Sequence, residues 1–135
     1  MCSACDAARL LAASELRATP RRLRVLQAVL DAEEALAPPA LLAALRREAP
    51  MDKVTLYRCL EALHHAGLIQ RHDAGDGSVR YCAGGPGHPE HHHFHCLRCR
   101  RLLCLEPGTV RVGVDLPGVV HVDVRLEGVC PACAS

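Results

Sequence analysis

The sequence predicts an α+β chain, helical in its first half and built as a small β domain in its second. Three observations carry that division. Leucines recur at helical spacing through the first 65 residues, apolar and polar residues alternate beyond residue 90, and a Gly/Pro-rich break, AGGPGHPE, lies between them at residues 83–90.

Composition bounds what such a chain can be. Its 135 residues make one compact domain or two very small ones. Half are apolar, but two Tyr, one Phe and no Trp leave the packing to Leu, Val and Ala. Thin cores of this kind need staples, and nine cysteines can supply them. No N-terminal stretch combines the features of a signal peptide, and no apolar run is long enough for a bilayer. The expected location is the cytoplasm, with no membrane partner, where thiols stay reduced and CxxC pairs read as zinc ligands rather than disulfides. A net charge of +1 argues against diffuse binding to polyanions. Local patches must do any electrostatic work, and Arg17, Arg21, Arg22 and Arg24 form one, with Lys53 and Arg58 forming a smaller one.

Each element follows in order. ARLLAASELR, residues 8–17, reads as a first helix. Thr19 then Pro20 is an N-cap followed by proline at the first helical position. Behind it Leu23, Leu26 and Leu30, widened by Val25 and Val29, form the apolar stripe of a second helix. A third starts at Pro38-Pro39, uses Leu41, Leu42 and Leu45, and stops before Pro50. Asp52 caps a fourth, DKVTLYRCLEALHHA, which Gly67 closes. LIQRH and SVRYC are then strands joined by the turn-rich DAGDG. Helices followed by a two-stranded wing have the order of a winged helix-turn-helix. Residues 1–82 would form that domain, 83–90 a hinge linker, and 91–135 a metal-binding domain. In the latter, HHHFH and LLCLE are strand arms around CLRC. TVRVGVD and VVHVDVRLE alternate apolar and polar residues around LPG, the pattern of an antiparallel hairpin.

Cysteine spacing points to a metal. Cys96 and Cys99 make one CxxC, and Cys130 and Cys133 another. Four thiolates complete tetrahedral zinc with no open position, so the expected site is structural and zinc-stapled. Nothing near either pair has the strand-to-helix setting of a redox motif. Cys2 and Cys5 form a third CxxC without a partner pair, and Cys59, inside the fourth helix, reads as a small buried hydrophobe.

The histidine run suggests a second metal. On a strand, His91, His93 and His95 share one face, and Glu90, His92 and Phe94 the other. His91 and His93 need partners from elsewhere, and Cys82 at the end of the wing and His72 on its facing strand can provide them. Imidazoles with a thiolate suit zinc better than iron or manganese, which take more oxygen donors. A site of His72, Cys82, His91 and His93 bridges the two halves, so its metal could set the angle between them, as a sensor does. The plainer alternative is a surface poly-His tract that binds metal adventitiously. On the opposite face Glu90 and His92 could meet His121 in a further site.

Lys53, Thr55, Tyr57 and Arg58 lie near the N-terminal end of the fourth helix. In a helix-turn-helix that end enters the major groove of double-stranded DNA, and the TPRRLR cluster would lie on the flanking backbone.

In this order the pieces resemble the ferric uptake regulator family of metal-dependent repressors. TPRRLRVL is similar to its T-x-x-R helix, VTLYRCLEALHHAGLI to its recognition helix, HHHFHCLRC to its HxHxxCxxC, and GVCPAC to its terminal knuckle, over about residues 9–133. The resemblance implies a cytoplasmic homodimer that binds a palindromic DNA operator when its sensory metal is loaded. By position it implies Arg17, Arg22, Tyr57 and Arg58 at the DNA, structural zinc on Cys96, Cys99, Cys130 and Cys133, and sensory ligation by Cys82, His91 and His93. A cysteine at position 82 is similar to the zinc uptake regulator branch, where iron and peroxide sensors tend to have a carboxylate. Ala35 stands where iron sensors often take a histidine, which leans the same way. Cys104 stands where some members place a carboxylate, and it rivals His72 as fourth ligand. The family's long dimerisation helix is missing, since PGTVRVGVDLPG is broken by Pro and Gly and rich in β-branched residues.

The function expected on these grounds is zinc-responsive repression, not catalysis. No Ser/His/Asp or Cys/His catalytic set and no phosphate-binding Gly loop is present. An iron- or peroxide-sensing repressor and a zinc-buffering protein on the same fold are the alternatives. A zinc hydrolase would need an open coordination position and a nearby base.

Overall fold

The computed structural model describes residues 6–84, 91–113 and 115–134. Cys2, Cys5, Glu90 and most of the expected linker therefore lie outside the described residues. The first helix, α1 (Ala7–Ala12), is shorter than ARLLAASELR suggests. Ser14 ends it: its hydroxyl donates to the Leu11 carbonyl at 2.7 Å and accepts the Leu16 N–H at 3.1 Å, taking backbone groups that a continuing helix would need.

The other helices begin and end where their caps direct. Thr19 accepts the Arg22 N–H at 3.3 Å to open α2 (Pro20–Asp31), and Asp52 accepts the Thr55 N–H at 3.2 Å to open α4 (Lys53–His65). Between them α3 (Pro38–Arg46) starts with proline in its first turn. Gly67, at φ +77°, adopts the left-handed conformation that ends α4. Val25, Leu26, Leu41, Leu56, Leu60 and Leu63 are fully buried or nearly so and form one core. Each such side chain contributes roughly 1.5–3 kcal/mol of burial. No helix among the described residues is long and apolar enough to cross a membrane.

After α4 the hairpin β2 (Ile69–Asp73) and β3 (Val79–Ala83) pairs antiparallel, His72 opposite Arg80 and Gln70 opposite Cys82. A second sheet has the order β1-β5-β4-β6, with β1 (Glu34–Ala35), β4 (His93–Cys96), β5 (Leu102–Cys104) and β6 (Arg125–Gly128). The β1–β5 and β5–β4 pairs are antiparallel, while β6 joins β4 in parallel. β1 comes from the helical half, and the next residue, Leu36, exchanges two backbone hydrogen bonds with Tyr81 of β3. One short segment thus ties the hairpin to the sheet. Ala35, 1% exposed, packs there with Cys82 and Leu102.

The expected hairpin around LPG does not form among the described residues. The described residues of TVRVGVD carry no strand, and of VVHVDVRLE only the end, within β6, is one. Alternation makes a strand only if one face finds something to pack on. Here Val112, Leu116, Val119 and Val120 all remain exposed, Val120 at 96%. What fills the open edge of β4 instead is the segment that leads into CPAC, which ends in a short helix, α5 (Pro131–Ala134).

Candidate metal centres

Pairing of β6 with β4 places Gly128 opposite Cys96, and so brings the two CxxC knuckles together. Cys96, Cys99, Cys130 and Cys133 have their sulfurs within 4.8 Å of one another. The knuckle backbone is shaped for this. Arg100 takes a left-handed φ of +68° after Cys99, and the Cys99 and Cys130 N–H groups both donate to Cys96 Sγ at 3.4 Å. Those two donors hold the Cys96 thiol down at about 5. Cys133 is pushed up to about 12, first by its hydrogen bond with Cys130 and then by burial. Cys99 and Cys130 stand 3.8 Å apart, sulfur to sulfur. Tetrahedral zinc with Zn–S of about 2.3 Å requires sulfurs about 3.8 Å apart, so the cage fits that ion without rearrangement at this pair.

The histidine run feeds a different centre only a few residues away. Cys82, His91, His93 and Cys104 also bring their ligand atoms within 4.8 Å of one another. Each comes from a separate constraint. Cys82 sits on β3, His93 and Cys104 face each other across β4 and β5, and His91 lies two residues before His93 with its ring centroid 4.8 Å away. His93 is 1% exposed and Cys82 2%. A hydrogen bond couples the two thiols. Cys104 is lowered to about 3, chiefly by the hydrogen bond from Cys82, while Cys82 is raised by that same bond and by burial. A borderline-soft metal would take both sulfurs as thiolates, so binding would have to displace the Cys82 proton.

His72 stands at the edge of this group. Its Nε2 is 3.2 Å from Cys82 Sγ, and His93 Nε2 is 3.3 Å from the same sulfur. Burial, then the neighbouring His93, lowers the His72 imidazole to about 4. His72 also belongs to a third group, with His93 and Asp123. Sequence reading did not single out Asp123. Its only signal was a carboxylate two residues from His121 in VHVDV, in a segment expected to be a regular strand.

The remaining expected ligands are not gathered among the described residues. His92 turns its Nδ1 to accept the Val124 N–H at 3.1 Å, His121 is exposed, and Glu90 lies outside the described set. No group of three close donors includes His92 or His121. His95, expected on the face of His91 and His93, is buried with Nδ1 3.7 Å from Glu127.

In the helical half α4 buries Leu56, Cys59, Leu60 and Leu63 and exposes Lys53, Tyr57 and Arg58, with Thr55 half-buried. Lys53 Nζ lies 6.0 Å from the Tyr57 ring centroid. The arginine cluster divides its work. Arg24 reaches the carbonyls of Leu45, Ala49 and Pro50 and so closes the C-terminal end of α3. Arg22 is half-buried and donates to the Arg17 carbonyl at 2.9 Å, whereas Arg17 is exposed.

Known proteins share this arrangement. The model of the ferric uptake regulator family matches residues 13–107, most of the chain, from the end of α1 to just beyond β5. The ferric uptake regulation protein of Synechococcus elongatus is 29% identical over 126 residues, spanning 87% of this chain and 85% of that protein. Two solved structures share the fold at 21% identity. The Vibrio cholerae ferric uptake regulator superposes with a TM-score of 0.67, covering 93% of this chain and all of that one. A zinc-bound manganese uptake regulator gives 0.68, covering 93% and 99%. Fold, cysteine cage and sequence match agree: the chain belongs to the ferric uptake regulator family, whose members are dimeric, metal-responsive, DNA-binding transcription regulators.

Proposed function

We propose that this regulator is a zinc-responsive repressor that binds a palindromic DNA operator as a homodimer in the cytoplasm. The observation that carries the reading is the donor set of the second centre. Two thiols and two imidazoles, with no carboxylate in the group of four, match zinc in number and softness. In this reading Cys82, His91, His93 and Cys104 hold the sensory ion, with His72 as the rival for the fourth place. Bound zinc supplies charge and fixed tetrahedral geometry, and nothing in the proposal requires turnover.

The mechanism follows from where the ligands originate. Cys82 belongs to the hairpin that follows α4, and Cys104 and His93 to the sheet stapled by the cysteine cage. Closing the centre would lock residues 1–82 and 91–135 into one arrangement across a hinge at 83–90. The ion acts by favouring that arrangement over others, because equal affinity for both would shift nothing. In it, Lys53, Thr55, Tyr57 and Arg58 would enter the major groove while Arg17 and Arg22 engage the backbone. Cys96, Cys99, Cys130 and Cys133 keep their zinc throughout.

One observation favours a harder ion. Asp123 beside His72 and His93 makes an N/O group of the kind iron or manganese would accept. Titrating operator binding with zinc, iron(II) and manganese(II) on the same sample decides between them. Zinc should act at the lowest free concentration, and stimulation by iron or manganese alone would overturn the zinc reading. With the operator in hand, Arg58→Ala should weaken binding across sequences and flatten its salt dependence, while Tyr57→Ala should change operator preference. Binding unaffected by both would mean that another surface reads the DNA. Tight zinc binding with no operator at all would favour a zinc buffer.

A further inference from the structure

Asp123 has a geometry that the zinc reading does not use. His72 and His93 both direct Nε2 toward Cys82 Sγ, at 3.2 and 3.3 Å. Both turn their other nitrogen toward one carboxylate: His72 Nδ1 is 3.7 Å from Asp123 Oδ2, and His93 Nδ1 is 3.5 Å from Asp123 Oδ1. The two oxygens are thus divided between the two rings, whose centroids lie 4.3 Å apart.

We infer that Asp123 is the outer carboxylate of the sensory centre: it stands just beyond hydrogen-bond reach of Nδ1 of His93 and of His72 and would accept both N–H groups after a small movement, leaving each Nε2 lone pair toward Cys82. An imidazole must carry its proton on one nitrogen to ligate through the other, and a carboxylate on that N–H fixes both tautomer and ring direction. Asp123 is a positioning residue in this role, not a ligand.

The backbone around Asp123 is built to place it. The Val124 carbonyl accepts the His93 N–H at 3.1 Å, and the Val124 N–H donates to His92 Nδ1, also at 3.1 Å. Arg125, two residues beyond Asp123, donates to the Asp73 carbonyl at the end of β2. Residue 123 is therefore held between the hairpin and β4. It also stands just before β6, the strand whose register sets the Cys130 knuckle against Cys96. This gives the cysteine cage a second consequence. By fixing β6 it delivers the carboxylate that orients the neighbouring histidines.

The inference rests on the zinc reading of this centre, and the experiment separates the two. Full-length parent, Asp123→Ala, Asp123→Asn and Asp123→Glu are compared by zinc competition against a chromophoric chelator, by long-range 1H–15N spectra of the imidazoles, and by cobalt(II) absorption. The parent should hold one chelator-resistant and one labile zinc. Asp123→Ala and the near-isosteric Asp123→Asn should weaken the labile site about 10- to 100-fold and leave the resistant one intact. Asp123→Glu should restore much of the loss. His93 and His72 should be Nδ1-protonated in the parent and lose that uniformity in Asp123→Ala. Tetrahedral cobalt bands should persist in every variant. Variants as tight as the parent, with unchanged tautomers, overturn the inference alone, as does a cobalt spectrum showing that a ligand has been removed. A parent with no labile zinc overturns the zinc reading and the inference with it. Should Asp123→Ala fail to fold, Asp123→Asn, which keeps the shape, decides the matter.

Discussion

The two candidate metal centres share a strand and differ in almost everything else. His93 opens β4 and Cys96 closes it, so four residues feed both. The cysteine cage takes all its ligands from residues 96–133, in one sheet and its flanking knuckles, and its donors are four of a kind. The histidine centre draws on β3 as well as β4 and β5, mixes sulfur with nitrogen, pairs a lowered thiol with a raised one, and has the lowered imidazole of His72 at its edge. A centre whose ligands lie within one unit can only stabilise that unit. If the chain divides at 83–90 as proposed, a centre whose ligands come from both sides of that division would report on their arrangement. The sheet half also shows why a staple is needed. Its apolar cluster is little more than Ala35, Cys82 and Leu102, while the helices own a continuous leucine core.

The sharpest way to break the comparison is to remove the cage. Cys133→Ser should release the chelator-resistant zinc and melt the β4–β6 pairing, because binding at such sites is on the order of 10 kcal/mol of folding energy, as large as a small domain's whole stability. Metal content and amide exchange of β4 read the result. A folded, zinc-free variant would refute the structural assignment.

A smaller effect is expected at the other centre. His93→Ala should leave a folded dimer with its cysteine-bound zinc but abolish the zinc response of operator binding. Couplings of about 1–3 kcal/mol, up to roughly 150-fold in affinity, are usual for such switches. If the variant still responds to zinc like the parent, the centres are not divided into staple and switch.

Next comes the choice of fourth ligand. Cys104→Ala should weaken the labile zinc more than His72→Ala does, since Cys104 and not His72 belongs to the tight set with Cys82, His91 and His93. The reverse order in chelator competition would move His72 into the inner set and Cys104 out of it.

The smallest effect is a pH dependence of the metal-free protein. His72 is lowered from 6.5 to about 4 in the folded chain, so between those values the unfolded chain binds the extra proton. Stability from this group is present above about 6.5, declines as pH falls toward 4, and changes no further below. Denaturation of parent and His72→Gln over this range should show the steeper slope in the parent, and equal slopes would show that His72 does not contribute.

Local signals were read well and long-range ones poorly. Thr19, Asp52 and Gly67 mark helix ends through hydrogen bonds within a few residues, and they act there as the sequence suggests. Ser14 is the local exception: its hydroxyl stops α1 early, a signal present in the sequence and overlooked. The LPG hairpin failed for a different reason. Alternation states which residues could share a face but not whether anything lies opposite that face, and among the described residues Val112, Leu116, Val119 and Val120 remain exposed.

The same distinction separates ligand chemistry from ligand assembly. Residue type and spacing alone determined that Cys96, Cys99, Cys130 and Cys133 could form a zinc cage, and that His91 and His93 need partners from another segment, although the strand begins only at His93 and His91 lies outside it. Both follow from the two-residue period of a strand and the reach of a CxxC turn, which are properties of a few consecutive residues. Only the tertiary structure decided that Cys104 stands opposite His93, that β1 links hairpin to sheet, and that β6 runs parallel to β4 and carries Asp123 to the histidines. Those are choices of which strand fills which edge. They depend on the packing of segments up to seventy residues apart, as Leu103 against Glu34, and no window of sequence contains them.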